Sequence, residues 1–343
     1  MRAMQITRIT SVLDDPEPLH LATDVPIPPC QNDEVLIQVS ACGVCHTEID
    51  EIEGRTPPKQ FPMSPGHQVV GRVIEVGIPA NEPLLGRRVG VAWIFSSCGS
   101  CEYCLTGREN LCPQFRATGR DAHGGYAEYM TAPAAFVYPI PDNVEDIYAA
   151  PLLCAGAIGY RSLWLSGIQN QQNLGLVGFG ASAHLVLKLV RFLYPDSRVF
   201  VFSRTPAERE FARELGAQWA GGIEETPPEH LHAIIDTTPV WTPPVQSLKH
   251  LLPGGRLVIN AIRKEHADLS IWLSLEYERD LWMEKEIKSV ANVTRNDVSE
   301  FLKLASQIPI IPEVEVFSLE EANLALKTLK QRKIRGAKVL KIL

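Results

Sequence analysis

The sequence predicts an α/β chain built from two unlike parts, on three observations. Its first third carries β-rich runs separated by Pro- and Gly-rich turns, with no helical repeat, the pattern of a β-barrel-like or sandwich domain. From about residue 150, short apolar runs alternate with amphipathic stretches, as in a parallel sheet with crossover helices. The length of 343 residues also exceeds one ordinary core. The expected division is 1–149 for the β-rich domain, 150–290 for the α/β domain and 291–343 as a closing segment.

In the β-rich part, residues 34–39 form a compact β-branched run preceded by Pro26, Pro28 and Pro29, residues 69–77 form a second extended segment, and residues 90–94 follow. In the α/β part, residues 174–178 read as a buried strand, 181–194 as a helix, 198–202 as the next strand, and 206–215 as a helix closed by Gly216. Residues 233–236 and 256–259 are further buried strands. A helix over 298–307 and a strand over 338–343 end the chain.

Composition narrows the function. The net charge of −7 has no basic cluster to set against it, which argues against nucleic acid or an anionic membrane as partner. No run of about 18 apolar residues exists, so no membrane span is expected. The first ten residues lack an apolar core of the signal-peptide kind. Eight cysteines without such a signal point to metal ligation in a reducing compartment, hence the cytoplasm, rather than to disulfides.

The most specific motif is Cys98, Cys101 and Cys104 followed by Cys112. Four thiolates at that spacing surround one tetrahedral Zn²⁺ and leave no open position, so the site staples a loop and does no chemistry. A second set is scattered. Cys45 lies in Cys42-Gly43-Val44-Cys45, His67 in Gly66-His67-Gln68, and Cys154 where the two textures meet. A lone CxxC can be a redox dithiol, half of a zinc site or two buried thiols, and a lone histidine is usually a core residue. Together the three make the Cys₂His set of a catalytic zinc with one position open. Cys42 and Cys30 read as small buried thiols, and His123 and His184 as ordinary structural or surface histidines.

Gly178, Gly180 and Ala183 follow a strand and open a helix as G-x-G-x-x-A, the dinucleotide fingerprint in its βαβ context. The acid expected at the end of the next strand is replaced by Ser203-Arg204. A carboxylate there would accept from the ribose 2′-OH of NAD, whereas a guanidinium can pair with the 2′-phosphate of NADP. NADP(H) is therefore expected over NAD(H).

Taken together, these residues resemble the zinc-dependent alcohol dehydrogenases of the medium-chain dehydrogenase/reductase superfamily, over essentially the whole chain. The resemblance implies a GroES-like catalytic domain that includes the C-terminal segment, with a Rossmann domain inserted. It also implies two zinc ions per chain, with Cys45, His67 and Cys154 holding the catalytic one. His46 matches the residue beside the cofactor pyrophosphate, Thr47 the hydroxyl that contacts the substrate oxygen, and Trp93 a bulky substrate-pocket residue. Four positions depart from the family pattern: Gln68 for Glu, Glu48 for Asp, Asp50 for the His that ends the proton relay, and Ala337 for a cofactor-binding Arg beside Lys338. The implied reaction is hydride transfer between NADP(H) and a small to medium primary alcohol or its aldehyde, in a dimer or tetramer of the chain. The rival readings are a zinc-free quinone or enone reductase of the same superfamily and a catalytically idle NADP-binding sensor.

Overall fold

The computed structural model describes residues 1–308, 310–331 and 335–343, in two compact units: Met1–Cys154 with Val293–Leu343, and Ala155–Asn292. In the first unit the main sheet runs Val314–Ser318, Ala337–Lys341, Glu34–Val44, Val69–Val76, Arg88–Val91, Val137–Pro139, and Tyr129–Pro133 also pairs with Glu34–Val44. Only its first two strands are parallel. Alternation in Val35, Ile37 and Val39 sends these side chains into one apolar core with Val69, Val73, Val89, Val91 and Met130.

The strand begun at Glu34 continues past Val39 to Val44. Ser40-Ala41-Cys42-Gly43 has little β-propensity of its own, but it is held between neighbours on both sides. Ala41 and Cys42 pair with Val70 and Val69, and Ala41 to Val44 pair with Lys341 to Lys338. Tertiary pairing overrides local preference here. The C-terminal strand, Ala337–Lys341, thus hydrogen-bonds to the strand that leads into Cys45.

The second unit holds a six-stranded parallel sheet in the order Trp219–Gly221, Arg198–Phe202, Asn173–Val177, Leu231–Asp236, Leu251–Ile259, Glu286–Ser289. Asn173–Val177 is buried at every residue, which is why it reads as an unbroken apolar run. Strand order reverses between Asn173–Val177 and Leu231–Asp236, and a doubly wound sheet opens its ligand crevice at the carboxyl ends of such a pair. Helix Pro206–Glu214 starts on a Thr205 side-chain cap. Glu286–Ser289 is exposed at every residue, so no apolar pattern announces it. No helix among the described residues is long and apolar enough to cross a membrane.

Candidate active site

The ligand set grows out of a helix start. Cys45 is the extended N-cap residue of helix His46–Ile52, and Glu48, three residues on, turns its carboxylate back to accept from the Cys45 backbone N–H at 2.7 Å. The other oxygen of Glu48 meets His67 Nδ1 at 2.6 Å, with both side chains at most 1% exposed. This makes Nδ1–H the donor and turns Nε2 toward the other donors of the set, where its lone pair could bind a metal. The longer carboxylate of Glu48 therefore still orients His67. His67 enters after Gly66 at φ +98°, where a Cβ would fall 2.3 Å from the Tyr126 ring and 2.9 Å from Cys42 Sγ, so only glycine fits.

Cys154 comes from a π-helical turn, Leu152–Gly156, that follows helix Asp146–Pro151. Such turns redirect a side chain out of the regular helical repeat. Its sulfur lies 3.2 Å from His67 Nε2. One donor atom from each of Cys45, His67 and Cys154 lies within 4.8 Å of the others. The set shares its own protons. A hydrogen bond from Cys154, helped by His67, holds the Cys45 thiol well below its usual range despite burial. The same bond, together with burial, pushes Cys154 up. Burial works against a charged His67, yet Glu48 and Cys45 raise it well above the ordinary imidazole value. Two thiols and an imidazole competing for protons over an anchoring carboxylate fit a divalent cation, which would take the place of those protons.

Around this set, Thr47 is buried with Oγ1 3.6 Å from Cys45 Sγ. His46 is exposed at the start of the helix. The Trp93 ring stands edge-on to His67 at 5.1 Å and is buried with Ile94, Ala117 and Phe136. Asp50 is half-buried, and its carboxylate pairs with Arg55. Gln68 is buried, its side chain against Gly43. Cys42 is a free buried thiol as expected, whereas Cys30 is free but only half-buried. Lys338 pairs with Glu315 at 1% side-chain exposure, so its ammonium is committed within this unit. Nothing in the spacing marks Glu51, which is fully buried with neither carboxylate oxygen hydrogen-bonded among the described residues. Burial, then Glu48, pushes its carboxyl well up.

The four-cysteine lobe has its sulfurs at 3.8 Å for Cys98–Cys104, 3.6 Å for Cys101–Cys104 and 3.6 Å for Cys98–Cys112. Four sulfurs about 2.3 Å from one zinc stand about 3.8 Å apart at tetrahedral angles. All eight cysteines are free of disulfides, so this clustering fits a shared cation.

In the second unit the fingerprint glycines divide their work. Gly178 sits at φ +81°, and a Cβ on Gly180 would meet nothing within 4 Å, which leaves the backbone open to close approach. Ala183 is fully buried beneath the helix start. His184, fully buried, bonds Gly180 O at 3.1 Å, and burial pulls it down to about 4. At the next strand end Arg204 is exposed, with no hydrogen bond or ion pair to its guanidinium among the described residues. Ser203, buried, donates its hydroxyl to Glu208. A carboxylate thus does reach this strand end, from the first turn of the following helix, where the usual pattern does not look for it. Arg209, a candidate third contact for a 2′-phosphate, is engaged with Glu225 at 3.2 Å and with the Arg204 carbonyl at 3.1 Å.

Comparison with known proteins adds the following. The model of the alcohol dehydrogenase GroES-like domain matches residues 31–142. A probable alcohol dehydrogenase of Mycobacterium tuberculosis is 40% identical over 100% of this chain and 97% of its own length. An alcohol dehydrogenase of Geobacillus stearothermophilus is 34% identical over 93% of this chain and 94% of its own. Among solved structures, a cinnamyl alcohol dehydrogenase of Sorghum bicolor superposes with a TM-score of 0.86 at 26% identity, covering 99% of this chain and 97% of that one.

Proposed function

Because this chain belongs to the zinc-type alcohol dehydrogenases of the medium-chain dehydrogenase/reductase superfamily, we propose that it is a zinc-dependent dehydrogenase of small to medium primary alcohols, or reductase of their aldehydes, with NADP(H) preferred over NAD(H). The observation that carries the reading is the Cys45, His67 and Cys154 set with Glu48 bonded behind His67. An intact three-donor set has no use in a zinc-free enone reductase or an idle sensor.

When bound, zinc would supply a Lewis acid for the substrate oxygen, and the dinucleotide would take the hydride from the alcohol or return it to the aldehyde. The chain does the rest. Cys45, His67 and Cys154 hold the metal, and Glu48 fixes the tautomer of His67. Thr47, buried beside Cys45, holds the hydroxyl proton of the alcohol and passes it outward. Asp50, in the same helix, is the outer acceptor, sharing its carboxylate with Arg55. Trp93, packed edge-on to His67, limits the substrate to small and medium groups. In the second unit, Gly178, Gly180 and Ala183 cradle the pyrophosphate. Cys98, Cys101, Cys104 and Cys112 hold the second, structural zinc.

The unpaired guanidinium of Arg204 and the hydroxyl of Ser203 support the NADP(H) preference, while Glu208 on that hydroxyl holds it down. The double change Ser203→Asp with Arg204→Ala inverts the preference, and Glu208→Gln widens it. A homo-oligomer, dimer or tetramer, is supported by the edge strand Glu286–Ser289 and by Tyr277, Trp282 and Met283, all exposed. The reducing cytoplasm suits eight free cysteines. The deciding experiment assays alcohols and aldehydes with NADP(H) and NAD(H), with and without a chelator. Turnover that survives complete removal of the catalytic metal overturns the zinc reading, and equal efficiency with both dinucleotides overturns the cofactor reading.

A further inference from the structure

We propose that Lys264 is a positioning residue for the dinucleotide, acting through a buried clasp with Asp236 that sets one wall of the crevice at the point where strand order reverses. The inference rests on the dinucleotide reading of the second unit given above.

Asp236 ends strand Leu231–Asp236 and is fully buried; the Lys264 side chain is 6% exposed. An ammonium has three N–H donors, and those of Lys264 face four acceptors: the Asp236 carboxylate, Thr238 O at 2.7 Å, Val240 O at 3.0 Å and Thr238 Oγ1 at 3.4 Å. No donor is left over for a substrate, so Lys264 is not a catalytic residue. The other Asp236 oxygen accepts from Thr238 N–H at 3.2 Å and from the Thr238 hydroxyl at 2.7 Å. One buried ion pair therefore ties down the segment from Thr237 to Val240.

That segment is the wall. Thr237 donates twice to Val177 O, from its backbone N–H at 2.9 Å and its hydroxyl at 3.1 Å. Val177 immediately precedes Gly178, and a Cβ on Gly178 would come within 2.8 Å of Thr237 Oγ1 and 3.0 Å of Thr238 Cγ2. The fingerprint turn and the loop after Asp236 are thus in contact, and they belong to the two strands between which the order reverses. The segment carrying Lys264 is locked from its far side as well. Glu265 N–H donates to Pro239 O at 2.6 Å, and the Asp268 carboxylate accepts from Trp241 and Thr242 N–H at 3.1 and 2.7 Å. A buried ion pair is weak evidence for stability in itself, and fixing one arrangement is its better-attested use.

The test measures NADPH and NADH dissociation constants by fluorescence, with KM and kcat, for the unaltered protein, Lys264→Met and Thr238→Val. Loosening the wall by one or two hydrogen bonds should weaken both dinucleotides about tenfold in Lys264→Met. NADPH and NADH should suffer alike, since the clasp lies away from the 2′-position read by Ser203 and Arg204, and KM for the dinucleotide should rise with much less change in kcat. Thr238→Val keeps the methyl group against Gly178 and buries no charge, so it carries the test if Lys264→Met does not fold; its effect should be smaller and in the same direction. Folded variants that bind both dinucleotides as tightly as the unaltered protein overturn the clasp alone. An unaltered protein that binds neither dinucleotide overturns the clasp together with the reading beneath it.

Discussion

The two cysteine clusters of this chain gather similar ligands by opposite means. Cys98, Cys101, Cys104 and Cys112 lie within residues 98–112, on an excursion whose Leu105 is 73% exposed and whose sulfurs meet one another and the adjacent Ser97, Ser100 and backbone N–H groups. Cys45, His67 and Cys154 come from a helix N-cap, a glycine-hinged strand entry and a π-turn, and they meet above a carboxylate at 0% exposure. The lobe organises local chain that has little core of its own, so its cation would supply order. The other site is organised by the finished fold, so its cation would supply chemistry. The difference predicts that the two sites fail independently.

The largest effect should come from breaking one cluster at a time. Two zinc ions per chain are expected, and mild chelation should take the one held by Cys45, His67 and Cys154 first. Cys154→Ser should leave one zinc per chain, background activity and a melting curve close to the original. Cys98→Ser should instead lower the melting temperature and open the lobe to protease, because a structural zinc contributes about 10–16 kcal/mol in small zinc domains. Elemental analysis and thermal melting of both variants check this. A Cys154→Ser protein that retains two zinc ions would break the comparison.

Within the chemical site, Thr47 should matter more than its distance from solvent suggests. Thr47→Ala should reduce kcat by about 10²-fold or more, as loss of an acid–base step does, with both metals in place. An unchanged kcat, with the chemical step shown to limit turnover, removes Thr47 from proton transfer. Next in size is Glu48→Gln, which keeps a group able to bond His67 and removes the charge. Partners of this kind typically contribute about 10–100-fold in metal affinity. Competition with a chromogenic chelator should show that loss at one site only, with the four-cysteine zinc unmoved.

The same contrast explains what could be read in advance. The lobe is legible because its ligands are sequence neighbours, and the fingerprint because Gly178, Gly180 and Ala183 open a helix directly after a strand that is apolar from Leu174 to Val177. Extension of the first long strand to Val44 was not legible, since Ala41, Cys42 and Gly43 are extended through pairing with distant segments, Lys341 to Val339 on one side and Val70 and Val69 on the other. Strand Glu286–Ser289 was hidden for a related reason: its side chains are exposed, so backbone pairing with Arg256 to Ile259 alone marks it. Glu208 and Lys264 escaped because each acts across a turn or a loop, on Ser203 and Asp236 respectively. Spacing rules find ligands that are close in sequence or held at the ends of regular elements. They do not find a side chain that reaches back.

The smallest expected effect lies at the outer edge of the chemical site and decides how far that site extends. If Asp50 is the outer acceptor of the proton, as proposed above, its removal should alter the pH profile. Its carboxylate, however, is paired with Arg55, whose guanidinium also meets Glu53 at 2.5 Å. A guanidinium stays charged throughout the working pH range, so the pairing holds the Asp50 carboxylate in one orientation across that range. Asp50→Asn should therefore change kcat only a few-fold, because solvent can take over an outer acceptor's part. Arg55→Gln gives the complementary arm: it frees the Asp50 carboxylate to reorient, and the pH profile of kcat should change if the proton leaves through it. If both variants reproduce the original pH profile, the relay ends at Thr47 and the Asp50–Arg55 pair does no more than fasten the helix end.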